Sequence, residues 1–378
     1  MLLEDVLDEL VQYEKLMSHP NDWLEQSEWM EVVKNIELLD NENYGNFLKR
    51  HQASLEIFRV PNYNIQKLNL NVQQTMSVGM KKRSECSLFM PVIKEISDKT
   101  KITRIVDIGG GKGTLCRLLK DVYNFNDCVV VEGQTPLCDK AKKCDLEVIN
   151  CWIQENTLGQ IIDKDCIISA LHTCGDLSPW ILKSYCTNPN VKGLLHSPCC
   201  YHKTSNDYIP LSFKCKQLCD LYGFTERIKL LSTKNIASHA TITWKTEDDI
   251  LKWLSKLEYR TRFKAECHLA GYDYSNEVFH PISGILKKLK FSNYEEYKHY
   301  FISSLSLPPV PTVTFDPFII RKLHIAYLIR FIVVGQLVEY LFLKDRQQYL
   351  IENGFNCQLL RLFQEDSPRC HVLYAVKE

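Results

Sequence analysis

The sequence predicts an α/β protein built on a doubly wound, mostly parallel sheet with helices on both faces. Three observations predict it. Residues 104–115 pass from an apolar, β-branched run through an acid into four glycines within five residues, then into a helix start. That is a strand, a tight turn and a helix N-terminus. Apolar runs ending in polar residues recur at 129–132, 146–151, 165–171 and 191–195, with helix-length segments between them, a rhythm that implies parallel pairing with right-handed crossovers. Two further strand-like runs, 357–363 and 371–376, flank Asp366-Ser367-Pro368-Arg369 near the end of the chain.

The first strand ends at Asp107-Ile108, and the turn is Gly109-Gly110-Gly111-Lys112-Gly113. Glycine lets the backbone take positive φ and lets a ligand lie against it without a Cβ in the way. A phosphate loop needs G-x-x-x-x-G-K-[ST], but Lys112 is followed by Gly113; a dinucleotide loop needs G-x-G-x-x-G, and neither frame fits. What remains is D-x-G-x-G-x-G, from Asp107 through Gly109 and Gly111 to Gly113. This pattern resembles the cofactor loop of class I S-adenosylmethionine-dependent methyltransferases. There the acid helps hold the charged methionine end, and the glycines pass beneath the cofactor. The bland reading is a glycine turn in some other α/β protein.

The second strand, Val129-Val130-Val131, ends in Glu132, where a carboxylate can accept both hydroxyls of a ribose. A helix follows near Pro136 to Lys143. The third strand, Leu146 to Ile149, ends at Asn150-Cys151, and Asn150 can meet an adenine edge. The fourth, Asp165 to Leu171, runs into His172-Thr173-Cys174-Gly175-Asp176, then a helix near Pro179 to Tyr185. The fifth, Val191 to Leu195, runs into His196-Ser197-Pro198-Cys199-Cys200-Tyr201-His202. Ligands of open α/β sheets lie beyond the carboxyl ends of the strands, so these two ends are the expected chemistry.

Three readings of that chemistry compete with simple packing of small side chains. His172 or Asp176 positions and deprotonates a substrate atom in an in-line transfer. A cysteine, Cys174 or Cys199, attacks the substrate covalently, as in cytosine-5 RNA methyltransferases, which carry cysteines at related strand ends. Or the Cys/His set binds zinc. Cys199-Cys200 is not C-x2-C and has no partner C-x2-C, so no metal is expected.

Composition bounds the rest. The 378 residues suffice for one large domain or two moderate ones. Lys plus Arg and Asp plus Glu both number 46, so no overall basic field argues for indiscriminate nucleic-acid binding. The acidic N-terminus lacks a signal-peptide pattern, and the 16 cysteines then read as reduced thiols in cytosol or nucleus. The most apolar stretch, Phe318 to Leu343, carries Arg321, Lys322, His324, Arg330 and Glu339, which reads as a buried helix rather than a membrane span. Leu3, Val6, Leu7, Leu10 and Val11 form one helical stripe, and Trp23 and Trp29 fall on a second expected helix. Ser77 to Glu85 carries Lys81-Lys82-Arg83, read equally as a solvated face or as a loop over the cofactor or a phosphate backbone. Residues 205–345 lack the strand rhythm and read as helices.

Taken together, several stretches resemble the methyltransferase-like protein 25 family, also called ribosomal RNA adenine dimethylase domain-containing. They are Gly79-Met80-Lys81-Lys82 with Glu85, Val106 to Gly113, Leu171 to Leu177, Cys199-Cys200-Tyr201, Glu339 with Asp345-Arg346, and Ser367-Pro368-Arg369. The stretches from His172 and from Cys199 to His202 are also similar to a tRNA 2′-O-methyltransferase family. The resemblance departs at one point. Adenine N6 dimethylases carry an N-P-P-[FY]-type turn after strand four, and Leu171-His172-Thr173-Cys174 stands there.

The resemblance implies a Rossmann-like class I methyltransferase with a seven-stranded sheet. Its expected parts are an N-terminal helical region (1–75), a core (76–204), a helical insertion (205–345) and a terminal β-hairpin (346–378). It implies S-adenosyl-L-methionine held by Asp107, Gly109, Gly110, Gly111, Gly113, Glu132, Asn150, Leu171 and Glu85, with His172, Asp176 and Cys199 as candidate catalytic residues. The expected substrate is a macromolecule, RNA ahead of protein, with no membrane partner. The alternative is a catalytically silent S-adenosylmethionine-binding module.

Overall fold

The computed structural model describes residues 2–17, 43–47, 49, 60, 62–70, 78–239, 246–272, 291–363, 367 and 369–377. Trp23, Trp29, Ser77, Asp366 and Pro368 lie outside the described residues.

Seven strands form one sheet: β1 (Ile105–Ile108), β2 (Cys128–Glu132), β3 (Glu147–Asn150), β4 (Cys166–Cys174), β5 (Val191–Cys199), β6 (Cys357–Arg361) and β7 (His371–Val376). Their order is β3-β2-β1-β4-β5-β7-β6. The first five are parallel, and β7 runs antiparallel to both β5 and β6. Sequence order reverses between β1 and β4, so the glycine turn after β1 sits at the switch point where such sheets bind ligands. This is the Rossmann-like class I methyltransferase topology, terminal hairpin included.

β4 and β5 both outrun the expected ends at Leu171 and Leu195. Pairing continues through Thr173↔Pro198 and Cys174↔Cys199, past a register shift between Leu171 and Thr173. The polar run read as loop because it was polar. In the fold His196 and Ser197 are buried, and their polar atoms are paired: His196 with Thr173 and Ser178, and the Ser197 hydroxyl with the His371 carbonyl at 3.2 Å. A satisfied polar side chain is no bar to a central strand.

The chain divides into two compact units, one of residues 1–18, 54–242 and 333–378, the other of residues 19–53 and 243–332. The division differs from an insertion spanning 205–345, because 205–242 and 333–345 belong with the sheet. In the sheet unit, α1 (Leu3–Val11) buries Leu3, Val6, Leu7 and Leu10 of the expected stripe, while Val11 is exposed. Next come α2 (Met80–Thr100), α3 (Thr114–Tyr123), α4 (Thr135–Lys142), α5 (Thr157–Ile161) and α6 (Leu177–Thr187). Then follow α7 (Phe213–Leu221), α8 (Thr225–Lys229) and α9 (Leu231–Ala237). Phe89, Ile93 and Ile96 of α2 and Leu115, Leu118 and Leu119 of α3 share a core with Ile105, Val130 and Ile167 of the sheet.

The other unit contains α10 (Glu247–Leu269), α11 (Tyr294–Ser304) and α12 (Pro317–Ile329). Its core is aromatic, with Phe263, Tyr294 and Phe301 gathered around Tyr297. There the buried Lys298 ammonium lies 2.9 Å from Glu266. The final helix of the sheet unit is α13 (Gly335–Glu352). Residues 317–352 are helical, and long and apolar enough to cross a membrane by length and composition; 83% of the most apolar window is buried.

Candidate active site at the carboxyl ends of the strands

The turn after β1 takes positive φ at Gly109 (69°), Gly111 (59°) and Gly113 (74°). L side chains pay for that conformation, so glycine is what the bend demands. Gly113 caps α3, and a Cβ there would lie 2.5 Å from Leu146. At Gly111 nothing lies within 4 Å of where a Cβ would stand, so the bend presents an open cradle of backbone.

Glu132 closes that cradle. Its Oε2 accepts from the Gly111 N–H at 3.1 Å and its Oε1 from the Gln134 N–H at 2.9 Å. Each carboxylate oxygen keeps further acceptor capacity, which suits a ribose diol. Asn150 ends β3 opposite Glu132 and donates to the Thr135 hydroxyl at 3.0 Å.

Asp107 lies beneath the bend, its Oδ2 2.6 Å from where a Cβ on Gly110 would stand. It is 2% exposed, accepts from Ser169 Oγ at 3.0 Å, and has Cys116 Sγ at 3.9 Å. Burial, partly offset by the Lys82 charge and the Ser169 bond, pushes its carboxyl up to about 6.

His172 stands in the left-handed region, φ 66°, at the register shift in β4. The irregularity aims its ring out of the strand. Nε2 lies 2.7 Å from Glu85 Oε1, a buried acid on α2, and the ring packs on Phe363 at 6.4 Å. Burial alone would raise the Glu85 carboxyl. The His172 bond and charge, with Ser367 and Lys81, outweigh it and hold the carboxyl below its usual range. Glu85, expected at the cofactor, is one of this pair, and Leu171, also expected there, is buried at the shift beside it.

The basic run divides its work. Arg83 donates to the Leu70 carbonyl, Lys81 lies 3.6 Å from Glu85, and the Lys82 charge reaches Asp107.

Asp176 accepts from the Ser205 N–H at 2.6 Å and so ties down the segment after β5. Cys199 is 6% exposed, and its thiol is pushed far up by S–H contacts to Cys174 and Cys200 and by burial. A buried, protonated thiol is a poor nucleophile. Of the cysteines here, Cys174 is the exposed one.

Comparison with known proteins agrees with this geometry. Residues 81–207 match a family model described as a methyltransferase domain. A segment of 45 residues is 42% identical to human "Probable methyltransferase-like protein 25", and 56 residues are 38% identical to the mouse protein of that name. These segments are 12% and 14% of this chain, which spans only 8% and 9% of those relatives' lengths. Among solved structures, the plantazolicin methyltransferase BamL with SAH overlaps at TM-score 0.24 and 12% identity, covering 61% of this chain and 69% of that one. BpumL with SAH overlaps at 0.21 and 11%, covering 56% and 78%. Overlaps that weak leave the fold to the strand order and the bend.

The chain carries a class I methyltransferase domain.

Four residues of this methyltransferase domain were not singled out from the sequence. Trp152, just past β3, is 74% exposed, and its ring lies so near Gly133 that a Cβ there would be 2.6 Å away. A large exposed ring beside Glu132 and Asn150 was the available signal. His196, Ser178 and Thr173 form a buried chain, with Thr173 Oγ1 to His196 Nδ1 at 3.0 Å and Ser178 Oγ to His196 Nε2 at 2.8 Å. Burial and the Arg346 charge push His196 down to about 3, so it is neutral. Arg346 of α13 joins the chain at Ser178 Oγ, 3.2 Å. Arg369 binds Glu339 at 2.8 Å and the Ala237 carbonyl at 2.9 Å. The late motif residues are therefore braces behind the strand ends.

Proposed function

We propose that this chain transfers the methyl group of S-adenosylmethionine to a macromolecular substrate, RNA ahead of protein. The observation that carries the reading is the open glycine bend with Glu132 bonded to the Gly111 N–H at 3.1 Å, set at the switch point of a β3-β2-β1-β4-β5-β7-β6 sheet.

In this reading Gly109 to Gly113 pass beneath the cofactor. Glu132 accepts its ribose hydroxyls, and the exposed Trp152 ring offers the adenine a stacking face. When bound, S-adenosylmethionine supplies an electrophilic methyl on a sulfonium. The rest falls to residues at the ends of β4 and β5. Transfer is an in-line displacement, so fixing the target atom is much of the work. Glu85, held ionised, can only accept, so the His172 Nε2 carries the proton shared between them. In the neutral form of the ring this leaves the lone pair on Nδ1, where it can take a proton from the attacking group. The choice of RNA is supported by the likeness of the His172 and Cys199–His202 stretches to a tRNA 2′-O-methyltransferase family, and by Lys81 and Lys82 at the N-terminal turn of α2.

The test is transfer of tritium from labelled S-adenosylmethionine into total RNA and total protein, split by nuclease and protease. Label lost to nuclease supports the reading; label lost to protease moves the substrate to protein. No label in either, with cofactor binding intact in calorimetry and lost in Glu132→Ala, leaves a binding module and refutes turnover.

A further inference from the structure

Among the described residues, one place brings three metal-ligating side chains together: the sulfurs of Cys174, Cys199 and Cys200 all lie within 4.8 Å of one another. Cys174 Sγ is 3.2 Å from each of the other two. We propose that these three cysteines bind zinc as thiolates at the open end of β4 and β5, leaving the fourth position to water or a substrate donor atom.

The backbone builds the cluster in two ways. Cys174 and Cys199 are the last residues of neighbouring parallel strands and face each other in register. Cys200 takes φ 51°, a left-handed conformation that a non-glycine residue adopts at a cost. That turn brings a third sulfur to the pair which an extended chain would carry away. Tetrahedral zinc with sulfurs at about 2.3 Å needs them about 3.8 Å apart, so the observed 3.2 Å spacings have to open by roughly half an ångström. Cys174 is exposed, and its side chain has room to give.

Sequence spacing hides such a site, because one ligand comes from another strand and the other two are adjacent, not C-x2-C. Three protein ligands with an exposed flank is the arrangement of a zinc site that keeps an open position. A disulfide would use two of the sulfurs and give the third no role.

The full chain, expressed with zinc and purified under reducing conditions, should hold about one zinc per molecule by elemental mass spectrometry. Cys199→Ser and Cys200→Ser should lose it, while Cys186→Ser, a half-buried cysteine of α6 outside the cluster, should keep it. In case a cluster variant fails to fold, wild-type protein is stripped with chelator, checked by circular dichroism, and titrated with Co²⁺. A sulfur-to-cobalt charge-transfer band of three-thiolate strength, displaced by zinc, is expected. Wild-type protein with no more zinc than the triple Cys→Ser variant, a stripped chain that takes up neither ion, or a Cys174 disulfide to Cys199 or Cys200 in the reduced preparation would overturn the proposal. The readout is metal, not methyl transfer, so it stands or falls apart from the proposed function.

Discussion

Gly110→Ala tests the packing of the bend over Asp107. A Cβ at Gly110 would stand 2.6 Å from Asp107 Oδ2 and 3.0 Å from Val130 Cγ1. An ordinary contact needs about 3.4 Å or more, so roughly 0.8 Å must be found. The carboxylate cannot sink, because Ser169 and Cys116 lie beyond it. The loop must therefore rise. Overpacking of this kind costs about 1–3 kcal/mol, which lowers Tm by roughly 4–8 °C at the middle of that range. A raised loop also loosens the Gly111 N–H from Glu132, a bond to a charged acceptor that is worth about 1.5–3 kcal/mol. S-adenosylmethionine should then bind about 10- to 100-fold more weakly. Denaturant melts and calorimetry measure the two effects. In an Asp107→Ala background the obstructing oxygen is gone, and Gly110→Ala should cost at least about 1 kcal/mol less. A Gly110→Ala protein within about 0.5 kcal/mol of wild type, additive with Asp107→Ala, would refute the argument.

Three further outcomes are expected. Trp152→Ala should weaken S-adenosylmethionine binding by about 1–3 kcal/mol, the worth of one stacked base, with Tm unchanged because the ring is exposed; unaltered affinity in calorimetry removes Trp152 from the site. His196, with its folded pKa depressed to about 3 from 6.5, contributes stability that is complete above pH 6.5 and lost as pH falls toward 3. At pH 5 the loss is about 2 kcal/mol, so His196→Gln should be less stable at pH 7 yet lose about that much less between pH 7 and 5, read by urea melts. Glu85→Gln keeps the shape beside His172 but not the charge, and should lower the transfer rate about 10²-fold with cofactor affinity unchanged; an equal fall in cofactor affinity would make Glu85 a cofactor residue instead.

The parts of the site that were legible in sequence are those where the backbone itself is under constraint. A bend at Gly109, Gly111 and Gly113 must be glycine, and the acid that meets its Gly111 N–H stands at the next strand's end, so both leave local marks. What was not legible depends on partners far along the chain. Asp176 reads as a base by type, and nothing local shows that Ser205, 29 positions on, donates to its Oδ1. His196 and Ser197 read as loop by polarity, yet Thr173, Ser178 and His371 satisfy them inside the sheet. Only tertiary structure shows that Glu339 meets Arg369, or that Asp345 meets residues 211 and 212.

Those late residues explain how a short parallel sheet holds two long strand tips in place. Asp345 accepts from the Leu211 N–H, the Ser212 N–H and the Ser212 hydroxyl at 2.7–2.8 Å. Beside it Arg346 reaches Ser178, then His196, then Thr173, which stands between His172 and Cys174. One turn of α13 therefore fixes both the segment after β5 and the tip of β4. Burial raises the Asp345 carboxyl above 3.8, and the Arg346 charge is the first influence opposing it. A raised carboxyl is stabilising below its unfolded value, and that stability is lost as pH rises through the folded value. Arg346→Met keeps the length but removes the charge, and should cost about 3 kcal/mol or more. It should also steepen the loss of stability from pH 4 to 7, because only the hydrogen bonds from Leu211 and Ser212 then oppose burial when Asp345 ionises. Adding Asp345→Asn should flatten that slope again without restoring the hydrogen bond to Ser178. Should the single variant show the wild-type slope in urea melts across this range, Arg346 is not what lets Asp345 ionise, and the brace rests on its hydrogen bonds alone.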